Sequence, residues 1–223
     1  MPPHHPLSMN TPPESVRFPL GARRVALVRG VRVVMIGGTS NTGKSTVAGA
    51  LAERLGFEHR STDLLARHPG RPWRTPEREV PAHVAEHYTT LAVDELIDSV
   101  LAHYERLWPR IEELVRTHAT GPGLVLEGSA LWPERVATLD VPHTAAVWLT
   151  ADEDVVRARI RAAGRYDAAT REERFLTDKF LARSVRYQSL MVEAVDRLGP
   201  ARVDVGKDRS VSEVADAVLA QAS

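Results

Sequence analysis

Residues 38–45 read Gly-Thr-Ser-Asn-Thr-Gly-Lys-Ser and satisfy the pattern G-x-x-x-x-G-K-[ST] at every fixed position. Few short patterns constrain a fold as strongly. Successive backbone amides in so tight a loop form a nest for an anion, and glycine lets the backbone approach it without a Cβ clash. A helix that starts at the end of the loop adds the positive end of its dipole. The surroundings suit such a loop. The run VRVVMIGG before it is β-branched and apolar, as in a buried strand, and Val47, Leu51 and Leu55 after it repeat at helical spacing. Lys44 is placed to reach β- and γ-phosphates, the Ser45 hydroxyl to ligate Mg²⁺, and Thr46 to contact an α-phosphate; Gly38, Asn41, Thr42 and Gly43 complete the cradle. The chain has only three lysines, Lys44, Lys179 and Lys207, its other cations being arginine, so a lysine at this point stands out.

Composition narrows the remaining possibilities. The 223 residues are 43% hydrophobic and 26% charged, the balance of a globular domain. Lys+Arg and Asp+Glu are 29 each, so no global charge argues for nucleic acid or an anionic membrane. Cysteine is absent, which excludes disulfides, thiolate metal sites and a cysteine nucleophile. The nine histidines show no metal-binding spacing. No apolar run approaches the roughly 18–20 residues that span a bilayer, and the N-terminus lacks the pattern of a secretory signal, so a cytoplasmic protein is expected.

Hydrophobic patterning predicts one α/β domain over 16–223 behind a proline-rich tail over 1–15, with a hairpin or extra edge strand at 16–30. Strands are expected at 31–38, 57–62, 123–127, 144–150 and 201–205. Helices are expected at 45–55, 81–88, 91–117 with a kink at Pro109, 152–163, 175–198 and 212–221, with polar loops at 70–79 and 166–173. Strands separated by helices imply a parallel sheet covered on both faces.

The loop, and the stretch IGGTSNTGKSTVAGALAERLGFEHRSTD around it, resemble P-loop kinases of the nucleoside-monophosphate-kinase-like group, which includes shikimate, gluconate and adenylate kinases, and the start of 2-phosphoglycerate kinases. The resemblance implies a three-layer fold with a five-stranded sheet in the order 2-3-1-4-5. It also implies a lid at about 160–176 and a substrate-side helical region at about 64–119. ATP and Mg²⁺ are the implied cofactors, a small metabolite is the implied acceptor, and the chain is expected as a monomer or homodimer. No guanine-specificity motif NKxD and no ABC-type signature appears, and the chain is too short for an AAA+ module with a helical lid subdomain.

Three further features suit a small kinase. Asp63 follows the second strand, at the carboxyl end where ligands of parallel sheets bind. It either orients or deprotonates an acceptor hydroxyl, holds a Mg²⁺ water, or caps the next helix. Glu127 ends the third strand in LVLEG, where a carboxylate lies beside a Mg²⁺ site, with Glu in place of the commoner Asp. The segment 155–174 is rich in arginine, and Arg161-x-x-Gly164-Arg165 looks like the entrance to a kinase lid. Arginines there neutralise charge on a transferred phosphoryl group; the bland alternative is a solvated helix of i,i+4 ion pairs. Arg71, Arg74 and Arg78 either hold an anionic acceptor through bidentate contacts or form a solvated loop. Arg183, Arg186 and Tyr187 are further candidates to face the site. Tyr104, Trp108 and Trp132 read as core or pocket wall, and 206–208 as a candidate adenine contact. The expected activity is Mg²⁺-ATP-dependent phosphoryl transfer to a hydroxyl or phosphate. The alternatives are a nucleotide-binding regulator without transfer, an O-phosphotransferase acting on an antibiotic or natural product, and a nucleic-acid-end kinase, the last opposed by the neutral charge.

Overall fold

The computed structural model describes residues 30–66 and 69–222. The expected tail over 1–15 and, apart from Gly30, the hairpin over 16–30 lie outside the described residues.

Strand β1 (Val33–Gly38) is followed by helix α1 (Lys44–Leu55), strand β2 (Glu58–Ser61) and a 3₁₀ turn at Thr62–Leu64. Helices α2 (Ala82–Thr90) and α3 (Val93–Ala119) lead to β3 (Leu124–Glu127) and the short α4 (Pro133–Ala137). Then come β4 (Thr144–Thr150), α5 (Glu153–Ala163), a 3₁₀ turn at Tyr166–Ala168, α6 (Arg171–Leu198), β5 (Ala201–Asp204) and α7 (Val211–Gln221). The strands pair in parallel in the order β2-β3-β1-β4-β5, the expected order.

Period-two alternation divides the sheet's apolar side chains between two cores. Val34, Ile36, Val147 and Leu149 meet α1, α5 and α7 on one face. Val33, Met35, Leu126 and Trp148 meet α3 and the C-terminal half of α6 on the other. Trp148 is 1% exposed, and its indole N–H donates to the Leu131 carbonyl at 3.0 Å, so its burial leaves no unsatisfied donor. Helix α6 serves both cores. Leu176, Phe180 and Leu181 belong to the first, Tyr187, Met191 and Val195 to the second. Arg183 and Ser184 fall between the two runs, and the Thr39 hydroxyl ties the helix there to the P-loop through the Ser184 carbonyl, at 2.9 Å.

Helix α3 continues through Pro109, which has no amide hydrogen to give to the carbonyl four residues earlier. Its apolar stripe of Leu96, Val100, Leu107, Trp108, Ile111 and Val115 is buried and holds it in place. The expected polar loop over 166–173 is a 3₁₀ turn followed directly by α6. Thr170 and Glu173 form a capping box, with Thr170 Oγ1 accepting from the Glu173 amide at 3.2 Å and Glu173 Oε2 from the Thr170 amide at 2.7 Å. Strand β2 is a sheet edge whose residues Glu58–Arg60 are exposed. Among the described residues, no helix is long and apolar enough to cross a membrane.

Candidate active site

The P-loop leaves β1 in a conformation that dictates its glycine. Gly38 has φ +143°, and a Cβ there would lie 2.7 Å from the Leu149 carbonyl oxygen. The loop is closed from within: the Thr42 hydroxyl donates to the Thr39 carbonyl at 3.0 Å, and Lys44 Nζ to the same oxygen at 2.6 Å. Gly43 precedes α1 and offers no side-chain cap, so the first amides of that helix remain directed at the cleft mouth. Asn41, Gly43, Lys44, Ser45 and Thr46 line a cleft of ≈ 770 Å³, while Gly38 and Thr42 lie beneath it and shape the loop.

The carboxyl ends of the strands supply the cleft's acidic groups. Ser45 Oγ donates to Glu127 Oε1 at 3.0 Å, across 82 residues of chain. Glu127 is 3% exposed, buried among the strand ends. Asp63 sits in the 3₁₀ turn and lines the same cleft. The capping alternative for Asp63 does not hold, because Ser61 caps that turn, its Oγ accepting from the Asp63 amide at 3.3 Å. The Asp63 carboxylate is exposed toward the cleft instead. Burial pushes the Lys44 ammonium below its ordinary pKa; the charges of Glu127 and Asp63 oppose that shift and Arg71 adds to it. Those four groups therefore act within one electrostatic neighbourhood. Thr62 Oγ1, beside Asp63, is buried without a hydrogen-bond partner and also belongs to the cleft wall.

The far wall comes from the 70–79 loop, α2, α3 and α6. Arg71 and Arg78 line it. Arg78 also donates to the carbonyls of Arg71 and Trp73, at 3.0 and 3.3 Å, and so stiffens the loop. Trp73 anchors the loop by packing edge-on against Phe180, centroids 4.9 Å apart. Arg74 does not line the cleft; it pairs with Glu173 at 3.1 Å. Tyr104 lines the wall, and burial holds its phenol well above the ordinary pKa and so neutral. His103 lines it too; burial, then the charge of Arg106, pushes its imidazole below the ordinary value, with Asp63 opposing.

The lid arginines are distributed differently from the sequence expectation. Arg161 lies 3.5 Å from Asp178, with its guanidinium carbon 4.5 Å from the Tyr166 ring centroid, and Arg165 is exposed at φ +50°. Neither lines the cleft. The guanidinium that reaches the P-loop belongs to Arg159, whose Nη1 donates to the Asn41 carbonyl at 3.3 Å. Of the three α6 candidates, Arg183 lines the cleft, Arg186 pairs with Asp94 at 3.4 Å, and the Tyr187 hydroxyl donates to the Ser129 carbonyl. Trp132 packs on Tyr187, Trp108 belongs to the core, and 206–208 are not part of the cleft wall.

Arg183 is the strongest of the groups that the sequence reading left as a loose candidate. It is 8% exposed, donates from Nη1 to the Tyr88 hydroxyl at 2.9 Å, and lies with its guanidinium carbon 4.5 Å from the Phe180 centroid. No carboxylate among the described residues forms an ion pair with it. Its signal was present in the sequence. Leu176, Phe180, Arg183, Tyr187 and Met191 follow one another at spacings of three or four, so Arg183 falls on the buried stripe of α6.

A metal ion fits this arrangement. Among the described residues no three acidic or imidazole groups cluster into a metal cage. Mg²⁺ at a phosphate loop needs no such cage, taking one or two protein oxygens together with phosphate oxygens and water. The hydroxyl–carboxylate pair of Ser45 and Glu127 beside an uncapped helix terminus meets that requirement.

Strand order, phosphate loop and cleft together define a P-loop fold. The chain belongs to the AAA_18 family, described as an AAA domain, whose family model matches residues 34–177. After β5 the described residues add only α7, with no separate helical subdomain behind it. Similar solved structures have low sequence identity. An uncharacterized protein from Eubacterium ventriosum is 15% identical, with a TM-score of 0.49 over 86% of this chain and 97% of that one. A gluconokinase from Sinorhizobium meliloti is 20% identical, with a TM-score of 0.44 over 86% and 93%. A shikimate kinase from Aquifex aeolicus is 12% identical, with a TM-score of 0.43 over 84% and 94%. Among curated proteins, none matches the sequence.

Proposed function

We propose that the chain is a Mg²⁺-ATP-dependent small-molecule kinase, acting through one domain over 16–223. The observation that carries the reading is the convergence on one cleft of the P-loop, the Ser45–Glu127 pair, the Asp63 carboxylate and three arginines at 71, 78 and 183. A protein that only bound nucleotide would need the loop but not the second, cationic wall facing it.

In this reading the P-loop amides and Lys44 hold the donor phosphates, and Ser45 with Glu127 holds the metal and its waters. Bound Mg²⁺ would neutralise charge on the β- and γ-phosphates. Asp63 orients the acceptor hydroxyl and takes its proton as the acceptor oxygen attacks the γ-phosphorus. The bond from that phosphorus to the β-phosphate oxygen breaks, and ADP leaves. Arg159, already on the P-loop, is assigned to the charge of the transferred group in preference to Arg161 and Arg165. Arg71, Arg78 and Arg183 hold an anionic part of the acceptor by charge-assisted hydrogen bonds.

The test is ADP release by the purified protein with Mg-ATP, with and without pooled small-metabolite acceptors, beside a Lys44→Ala control. Acceptor-dependent ADP that vanishes in the control supports the reading. ATP binding with no stimulation by any acceptor overturns it in favour of a nucleotide-binding regulator.

A further inference from the structure

Few groups on the cleft wall can receive a proton. Arginine keeps its own at every working pH, and the Lys44 ammonium already carries one. The Tyr104 phenol, held well above its ordinary pKa by burial, is likewise protonated. Among the described residues that line the cleft, this leaves the side chains of Asp63, Glu127, His83 and His103. Glu127 accepts from Ser45 Oγ at 3.0 Å and belongs with the donor phosphates.

His103 stands on the face of α3 that is turned to the cleft. Val100, His103, Tyr104 and Leu107 follow one another at i, i+3, i+4 and i+7, and all four line it. Val100 and Leu107 are 2% and 3% exposed and pack the stripe down. His103 and Tyr104 are its partly exposed members, the ones a bound molecule meets. From the sheet side, Asp63 is exposed just beyond the carboxyl end of β2. Its charge is felt by Lys44, Tyr104 and His103 alike, so Asp63 is close both to the ammonium that reaches the donor and to the α3 stripe. Of the two imidazoles, His103 is the one whose protonation Asp63 influences. The charged or titratable groups around it are Arg106 and Tyr104 on its own helix, Asp63 on the turn after β2, Arg71 and Arg78 on the loop, His83 on α2 and Arg183 on α6. Burial, then the charge of Arg106, holds His103 below its ordinary pKa, with Asp63 opposing. Near neutral pH the ring is therefore uncharged and able to take a proton.

Resting on the kinase reading, we propose that His103 is the proton outlet of the reaction: it receives from Asp63 the proton that leaves the acceptor hydroxyl and passes it to water. An acceptor seated against Asp63 displaces the water that would otherwise relieve the carboxylate. As the acceptor oxygen bonds to the γ-phosphorus, its O–H bond breaks and the proton goes to an Asp63 oxygen. The bond from that phosphorus to the β-phosphate oxygen breaks, and its electron pair leaves with ADP. The proton then moves to a ring nitrogen of His103, which restores the carboxylate. That transfer is downhill, since a carboxylic acid is a stronger acid than an imidazolium. The imidazolium releases the proton to solvent. His103 acts through Asp63 and is a positioning residue for the proton.

The experiment uses the full chain and two readouts. The first is the NMR titration of the His103 ring with Mg²⁺ and the non-hydrolysable analogue AMPPNP present. Asp63→Asn removes the negative charge that favours the imidazolium, so the His103 titration is expected to move to lower pH. The second is the pH profile of Lys44-dependent ADP release, with pooled small-metabolite acceptors and with water alone. His103→Ala, a change that suits a helix at a partly exposed position, is expected to lower the rate by at least about tenfold and to remove the acid limb that follows the His103 titration. Added imidazole is expected to restore part of the rate in this variant and none in Asp63→Ala, a rescue that a merely structural role would not give. An unmoved His103 titration in Asp63→Asn overturns the proposal, as does a His103→Ala profile that matches the native one or does not respond to imidazole. Absence of Lys44-dependent ADP release from the native chain removes the kinase reading and this role together, whereas ADP release indifferent to His103 removes this role alone.

Discussion

Arg183→Met is the substitution that separates a binding role from a structural one. In the native chain this guanidinium is 8% exposed, donates to Tyr88 at 2.9 Å and packs over Phe180 at 4.5 Å, with no carboxylate paired to it among the described residues. Methionine keeps most of the apolar stem and removes the charge. The losses are the hydrogen bond and the unpartnered Tyr88 hydroxyl it leaves, together about 1–3 kcal/mol, and a cation–π contact of about 1–2 kcal/mol. The gain is relief from keeping a cation out of water, which is of the order of several kcal/mol for a buried ion without a counter-ion. These terms oppose each other, so the ligand-free protein should change by no more than about 1–2 kcal/mol, and each kcal/mol moves the melting temperature by about 2–4 °C at this size. Acceptor binding has no such compensation. Losing one charge-assisted hydrogen bond of about 1.5–3 kcal/mol raises the acceptor KM roughly tenfold to a hundredfold or more. Calorimetric melting and acceptor-saturation kinetics on the same preparation read both effects. A protein destabilised by more than about 4 kcal/mol with an unchanged acceptor KM would refute the argument and make Arg183 a structural strut.

Gly128→Ala should disrupt the site by steric force: at φ +153° the new Cβ would lie 1.8 Å from Thr62 Oγ1, and the displaced Thr62–Asp63 turn should show as a loss of several kcal/mol in melting and of kcat. Thr39→Val removes the buried hydroxyl that joins the P-loop to the Ser184 carbonyl; about 1–3 kcal/mol of stability should go with it, Thr39→Ser should restore it, and thermal unfolding of the pair decides. Lys44→Met should abolish nucleotide-dependent activity yet stabilise the ligand-free fold. Burial lowers the Lys44 pKa below 10.5, so protonated Lys44 opposes folding below its folded pKa. The variant's advantage is therefore full near neutral pH and shrinks as pH rises from the folded value to 10.5, which melting curves across that range measure. Arg159→Ala, which removes the guanidinium resting on the P-loop, should lower kcat more than Arg161→Ala or Arg165→Ala, by about tenfold or more; equal losses in the three variants refute the assignment.

Much of this was legible before any coordinates, and the reason differs from one feature to another. The P-loop is written in eight consecutive residues because an anion nest is a local backbone structure. The strand order followed from resemblance, and the position of each element from hydrophobic period. The start of α6 was misplaced because the polar stretch 170–174 reads as a loop unless its capping box is recognised, and the box is a pattern of side chain and backbone rather than of hydropathy. Glu127 was found because it ends an apolar strand. Arg159 was passed over in favour of Arg161 and Arg165 because a one-residue step on a helix turns a side chain by about 100°, and spacing alone does not say which face meets the P-loop.

What the chain of residues determines by itself, then, is its phosphate loop, its alternation of strands and helices and the parallel sheet that they imply, since each depends on groups within a few positions of one another. Which cations serve the cleft was decided by the tertiary structure. Arg183 lines it and Arg159 rests on the P-loop, whereas Arg74 is drawn off to Glu173 and Arg186 to Asp94; of the four, only Arg183 is marked in the sequence, by its place on the buried stripe of α6. The reason is distance along the chain. Ser45 meets Glu127 across 82 residues and Thr39 meets Ser184 across 145, and only the packing of α6 over both cores brings such partners within hydrogen-bonding range.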